Sequence, residues 1–261
     1  MKLDIYQVDS FTDTLFSGNP ACVIPLDKWL PDEIMLKMAR ENAVAETAFF
    51  IRKEGSFALR WFTPDIEMDL CGHATIAAAH IVRTALRLNE KTIVFDTKSG
   101  RIDVVFSEGI YYMDLPSRSP GPVELPATIR ESLSLQPIEV FKARDYILVY
   151  GSEEDVRSIK VDRVSFDRIN LDPGGVAVTA PGRDCDFVSR FFTPQATILE
   201  DYVTGSSHCS LVPYWSGRLG RSRLVAEQVS VRPGRLYCED KGGRVSVGGG
   251  AVTYSAGYIA L

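Results

Sequence analysis

The sequence predicts an α+β protein of two pseudo-symmetric domains, each a mostly antiparallel sheet wrapped around a central buried helix. Two observations carry this. First, the stretch Arg60-Trp61-Phe62-Thr63-Pro64 returns as Arg190-Phe191-Phe192-Thr193-Pro194, and Gly72 returns as Gly205 after a three-residue insertion. A third match, Lys98 to Val104 against Lys241 to Val247, extends the echo beyond the helix. Second, the segment after each glycine, Ala74 to Val82 and Ser206 to Gly217, carries no formally charged side chain. A surface helix shows one apolar stripe, whereas a helix apolar nearly all round is buried. Neither segment reaches the about 20 apolar residues that span a bilayer, so each is read as a core helix, starting at His73 or Ser206. Helix starts present free N–H groups and a partial positive charge. Two of them in related halves suggest one anion-binding cleft between the domains.

In chain order, Leu3 to Asp9 reads as a strand and Gly18-Asn19-Pro20 as a turn, followed by an apolar strand at Ala21 to Ile24. Pro31 opens a helix with an Ile34, Met35, Met38, Ala39 face that runs to about Asn42. Val44 to Ile51 is a strand with Glu46 near its start, paired as a hairpin with Phe57 to Thr63. Strands at Thr92 to Phe95, Arg101 to Phe106 and Ile110 to Leu115 complete a first domain over residues 1–116. Pro116 to Pro126 reads as a linker. The second domain, 117–250, has a short helix near Ala127 to Ser134, strands at Glu139 to Lys142 and Tyr146 to Tyr150, and a helix at Glu153 to Ile159. Strands at Val176 to Thr179 and Phe187 to Thr193 precede its buried helix, and three more follow from Arg223 to Val247. The last strand, 251–261, is expected to close the first domain's sheet.

Composition bounds the function. The chain has 261 residues, 45% apolar content and a net charge of −5, with an isoelectric point near 5.4 and no basic run, which argues against a nucleic-acid partner. Five scattered cysteines without a C-x-x-C pair form neither a disulfide framework nor a zinc site, so no metal is expected. The N-terminus alternates like a strand and lacks an apolar signal core; a cytoplasmic protein with no membrane partner is expected.

The duplication separates scaffold from chemistry, because features present in one copy alone are the functional candidates. Glu46 stands opposite an apolar run near Val176, His73 is matched by Ser206, and Asp201 falls where the first copy has Met68 or Asp69. His80, in the first buried helix, is read as a hydrogen-bonded core histidine.

Gly18-Asn19-Pro20-Ala21, Glu46-Thr47-Ala48-Phe49, Phe62-Thr63-Pro64, Cys71-Gly72-His73-Ala74-Thr75, Glu200-Asp201, Thr204-Gly205-Ser206-Ser207-His208 and Pro213-Tyr214-Trp215 together resemble the phenazine-biosynthesis isomerase (PhzF-like) family. The resemblance covers essentially the whole chain. It implies the diaminopimelate epimerase fold, an active site between the domains, a homodimer, and a cofactor-independent isomerase that moves a proton within a small hydroxy- or amino-carboxylate. One departure is Tyr202, where the family often has proline before Val-Thr-Gly-Ser. By the resemblance Glu46 is the general acid/base, a role that needs a carboxylate burial makes easier to protonate. His73 and Asp201 hold or relay protons. Ser206, with the N–H groups after Gly72 and Gly205, binds the substrate carboxylate, and Asn19, Ser207 and His208 are further substrate-binding candidates.

Two other readings remain at this level. One is an amino-acid racemase or epimerase working with two opposed thiols, and it is disfavoured because Cys71 is matched by Thr204, which cannot act as a thiolate. The other is a non-catalytic protein that holds a small anion at the paired helix starts.

Overall fold

The computed structural model describes residues 1–171 and 174–261. These form two compact units, residues 1–114 with 247–261 and residues 115–246. The first contains β1 (Lys2–Ser10), β2 (Asn19–Leu26), α1 (Asp32–Asn42), β3 (Glu46–Arg52), β4 (Phe57–Phe62), β5 (Glu67–Met68), α2 (Gly72–Thr84), β6 (Thr92–Thr97), β7 (Gly100–Ser107) and β8 (Ile110–Pro116). The second contains β9 (Gly121–Pro122), α3 (Ala127–Ser132), β10 (Glu139–Lys142), β11 (Tyr146–Val149), α4 (Glu153–Ser158), α5 (Arg163–Phe166), β12 (Val176–Pro181), β13 (Phe187–Phe192), β14 (Glu200–Asp201), α6 (His208–Leu219), β15 (Arg223–Gln228), β16 (Gly234–Asp240) and β17 (Arg244–Gly249). The chain ends in β18 (Ala251–Ala260), which pairs antiparallel with β1 along its whole length.

The pairing pattern repeats. In the first unit β2 runs parallel to β3, β3 antiparallel to β4, β4 antiparallel to β5 and parallel to β6, and β6 antiparallel to β7. In the second unit β11, β12, β13, β14, β15 and β16 make the same pairings in the same order. The bonds that close the turn after each Thr-Pro place the insertion. Thr63 N–H reaches Ile66 O in the first copy, and Thr193 N–H reaches Leu199 O in the second, so the longer turn absorbs the three extra residues. Each copy also keeps one ion pair across that turn. Arg60 Nε donates to Glu67 at 2.7 Å, and Arg190 Nε donates to Glu200 at 2.7 Å, both largely buried and both bidentate. Partly buried bidentate arginine–carboxylate pairs are among the stronger charge contacts.

The central helices are as apolar as their composition requires. From Gly72 to Val82 every α2 residue except His80 is buried. In α6, Trp215 stacks on Phe187 at 5.6 Å and its indole N–H donates to Thr179 Oγ1 at 3.0 Å, which satisfies its polar atom inside the core. Pro213 lies within α6 and has no N–H, so the carbonyl of Cys209 loses its helical partner. That carbonyl instead accepts the N–H of Arg118 at 2.8 Å.

Several expectations shift in detail. Asn19 and Pro20 belong to β2 rather than to the turn, which is made by Gly18 at φ +66°. The proline-rich segment is not wholly a linker, because Gly121–Pro122 pairs with β10. The short helix α5, capped by the Asp162 side chain, was not expected. Helix α2 begins at Gly72, one residue early. The chain enters α6 through backbone bonds spanning three residues before regular helix begins at His208.

His80 bonds through both ring nitrogens, Nδ1 with Tyr111 Oη at 3.1 Å and Nε2 with Thr253 Oγ1 at 2.9 Å. Burial lowers its pKa from 6.5 to about 4. A histidine held neutral in the fold stabilises it fully above the unfolded value near 6.5 and loses that contribution as pH falls towards the folded value. Between pH 7 and 4.5 this residue is expected to withdraw about 2–3 kcal/mol. Urea unfolding of wild type and His80→Gln at both pH values tests this: the acid-induced loss should shrink by about 2 kcal/mol in the variant, and an equal loss in both proteins would refute it.

Candidate active site

In the first unit the functional candidates all stand at element ends. Glu46 is the first residue of β3, paired with Ala21 in β2; Asn19 opens β2; Gly72 and His73 open α2 behind Cys71. Strand ends release side chains from the cross-strand pairing, and a helix start brings unpaired N–H groups. The sheet therefore delivers a carboxylate and an amide to the one polar end of an otherwise apolar helix.

His73 is the hub. Its side chain is 2% exposed and its Nε2 lies 3.0 Å from Glu46 Oε2. Asn19 Nδ2 lies 3.1 Å from its Nδ1, and Cys71 Sγ approaches the same nitrogen at 3.6 Å. Ser10 Oγ donates to the His73 carbonyl at 2.8 Å and anchors its backbone. The Glu46–His73 approach lies off the hydrogen-bond axis, since neither atom makes a well-aligned bond, so the contact is a close charge pair. Burial opposes charging His73, but the Cys71 sulfur and the Glu46 carboxylate outweigh it and hold the imidazole well above 6.5. Burial also pushes the Cys71 thiol up to about 11. Cys71 is thus a thiol near pH 7.

Glu46, Cys71 and His73 carry donor atoms within 4.8 Å of one another, close enough to consider a metal. Their arrangement suits a proton better. The thiol meets Nδ1 while the carboxylate meets Nε2, so the two lie on different edges of the ring. One ion bound to one ring nitrogen would leave one of them aside.

The Asn19 amide can follow the proton count. With a neutral ring its Nδ2 donates to Nδ1, 3.1 Å away. A charged ring carries a proton on both nitrogens, and Asn19 must then turn its oxygen to Nδ1.

In the second unit Asp201 stands opposite Phe191 where Met68 stands opposite Trp61, which makes it the counterpart of Met68. Its Oδ2 accepts from Thr204 Oγ1 at 2.6 Å. Gln228 clamps this loop: its Nε2 donates to Asp201 O at 2.6 Å, and its Oε1 accepts from Thr204 N–H at 2.8 Å. Ser207 Oγ and His208 Nδ1 both donate to Thr204 O, at 2.9 and 2.8 Å. His208 is fully buried against Phe187, and burial lowers its pKa to about 4. Gly205 is buried beside them. Ser206, half-buried, is reached by Arg144 Nη2 at 3.3 Å.

The structure therefore gathers Asn19, Glu46, Gly72 and His73 in one unit and Asp201, Gly205, Ser206, Ser207 and His208 in the other. Sequence reasoning missed Ser10, Gln228 and Arg144. Gln228 ends a strand whose counterpart in the first copy ends in Thr97, and this exchange of a hydroxyl for a longer amide is the signal the internal alignment offers.

The comparisons agree with the fold. The family model described as phenazine biosynthesis-like protein (PhzC-PhzF) matches residues 8–257. An uncharacterized isomerase from Pseudomonas aeruginosa is 44% identical over 262 residues, covering all of both chains. The crystal structure of a PhzF-family phenazine biosynthesis protein from Enterococcus faecalis superposes with a TM-score of 0.95 at 42% identity, covering 100% of each chain. A hydroxyproline epimerase from Agrobacterium vitis shares the fold alone, at a TM-score of 0.64 and 9% identity over 100% of this chain and 93% of that one. Among the described residues no helix is long and apolar enough to cross a membrane. With a family model matched almost end to end and a full-length isomerase relative, the chain belongs to the phenazine biosynthesis-like (PhzF) family and is an isomerase.

Proposed function

We propose that this isomerase moves a proton between two carbons of a small hydroxy- or amino-carboxylate, with Glu46 as the general acid/base and no cofactor. The observation that carries this reading is the Glu46–His73 pair, 3.0 Å apart at the start of a buried helix. Glu46 Oε2 is fully buried against His73 while the side chain keeps 13% of its surface exposed. One oxygen is thus held by the protein and the other is left for a substrate. In the forward step Glu46 takes a proton from an acidic C–H, and the C–H electron pair becomes part of an enol or dienol π system. In the second step the same carboxyl returns the proton to a different carbon of that system. No external oxidant or reductant enters, and atoms and electrons balance within the substrate. His73 acts on Glu46 rather than on the substrate. Asp201 and Ser206 hold the hydroxyl and carboxylate ends, and the protein works as a homodimer.

Replacing Glu46 by Gln keeps size and hydrogen-bonding capacity but removes the base. Deuterium uptake from D2O into a panel of hydroxy- and amino-carboxylates, read by mass spectrometry, is expected to fall by about 10²- to 10⁴-fold in Glu46→Gln. Undiminished exchange in that variant would remove the proposal.

His73 adds a pH dependence. Its folded pKa lies above 6.5, so the charged ring and the stability it brings are fully present below about 6.5 and are lost as pH rises through the folded value. Exchange is expected to decline on that alkaline limb, and the limb should be absent in His73→Gln. A profile that rises monotonically to pH 10 in the wild type would contradict the role assigned to the pair.

The two-thiol route makes a separate demand. Cys71 is a buried neutral thiol, and Thr204 occupies the matching place in the other copy with its hydroxyl already committed to Asp201. Cys71→Ser is accordingly expected to retain at least about a tenth of wild-type exchange. Loss comparable to that of Glu46→Gln would transfer the chemistry to the thiol.

A further inference from the structure

Resting on the proton-transfer reading above, we infer that Arg144, with Ser206 and the neighbouring Arg118, is the specificity-determining anchor for a single substrate carboxylate in the second unit.

The two copies use the same place differently. The register aligns His73 with Ser206, and it aligns Glu46 with Gly175, because Thr47 and Val176 pair with the matching Phe62 and Phe192. In the first unit the residue that reaches the helix start is an acid. In the second it is a base: Arg144 Nη2 donates to Ser206 Oγ at 3.3 Å. Ser206 accepts that bond and keeps its own proton to donate onward.

Arg144 is held loosely. Its Nε meets Asp145 Oδ1 at 3.3 Å, a long contact, and its side chain is 21% exposed. Asp145 is 2% exposed, and its Oδ1 is already engaged by the Gly175 N–H at 2.9 Å. Asp145 therefore steers the arginine without closing its fork, and the remaining N–H groups can turn to a ligand.

Arg118 supplies the second charge. Its main chain is tied to α6 through the Cys209 carbonyl that Pro213 leaves free. Its Nη1 is buried and makes no hydrogen bond, which is costly for a guanidinium unless a ligand completes it. Burial pushes the Cys209 thiol up to about 11 while the charges of Arg118 and Arg144 pull against it. Two arginines against one aspartate leave one net positive charge. A single carboxylate balances that charge, whereas a dianion such as phosphate exceeds it. The planar fork of arginine matches a carboxylate in two parallel bonds.

The test uses DL-lactate as the probe carboxylate and lactamide as its uncharged twin. Both are titrated into the full-length protein while the Arg144 Nε–H and Ser206 N–H signals are followed by NMR. Lactate is expected to shift both signals saturably and lactamide to shift neither. Arg144→Gln should weaken lactate at least about tenfold, equivalent to about 1.4 kcal/mol, and Arg144→Lys should restore part of the loss, which a purely structural arginine would not do. Glu46→Gln should leave lactate binding intact while abolishing deuterium exchange, so failure of the acid/base reading and failure of the anchor show separately. Absence of a saturable response at Arg144, equal binding of lactamide, or lactate binding unchanged in Arg144→Gln would each overturn the assignment.

Discussion

The constraint on which the rest depends is the enclosure of an uncharged helix inside each unit. A helix buried on all sides can tolerate almost no polar side chain along its length, since unpaired polar groups inside a core cost about 1–3 kcal/mol each. Polarity is confined to its first turn, where backbone N–H groups need partners in any case. In α2 that turn carries Cys71, Gly72 and His73, and ten of the thirteen helix residues are buried. Surrounding strands then have one place to direct charged residues without burying them unpaired. Glu46 and Asn19 begin their strands there, and Ser10 ends one there.

That geometry also explains how a buried histidine becomes charged. Enclosure alone drives an imidazole towards neutrality, as it does for His80 and His208, both lowered to about 4. His73 is enclosed as fully, yet its pKa moves the opposite way, because the Cys71 sulfur and the Glu46 carboxylate both stand against its ring. The three histidines share a core environment and differ in partner. His80 meets hydroxyls, His208 meets a backbone carbonyl, and His73 meets an acid.

The repeat, the buried helices and the grouping of Glu46 with His73 at a helix start were legible in the sequence because each rests on a repeated or absent residue type. Runs without charge mark the helices, the Arg-aromatic-Phe-Thr-Pro repeat marks the hairpins, and Glu46 is conspicuous against its apolar counterpart. What could not be read depends on contacts between residues far apart in sequence. Nothing near Arg118 announces that its N–H fills a vacancy opened by Pro213, and nothing near Gln228 announces that it spans the Asp201–Thr204 loop. Helix α5 has four residues and owes its start to one aspartate cap, too short a span for periodicity to reveal. The strand Gly121–Pro122 exists through its pairing with β10 and has no local pattern of its own.

The divergence of the two copies follows from packing as much as from selection for charge. At Gly175, the counterpart of Glu46, a Cβ atom would lie 2.4 Å from the ring of Phe191 and 2.8 Å from the Phe192 carbonyl. No side chain fits, so the second unit has no room for a glutamate where the first has Glu46. The acid appears instead one strand over, as Asp145, the counterpart of Ala21, bonding the Gly175 N–H and facing Arg144. The aromatic residue that fills the second core thereby removes the acid from the strand start and leaves the helix start to a hydroxyl and a guanidinium. In the first unit the corresponding Trp61 stands opposite Ala48 in the same register, and the strand start beyond Thr47 carries Glu46. The two halves thus differ in the charge that stands at the helix start, a carboxylate, Glu46, in the first and a guanidinium, Arg144, in the second.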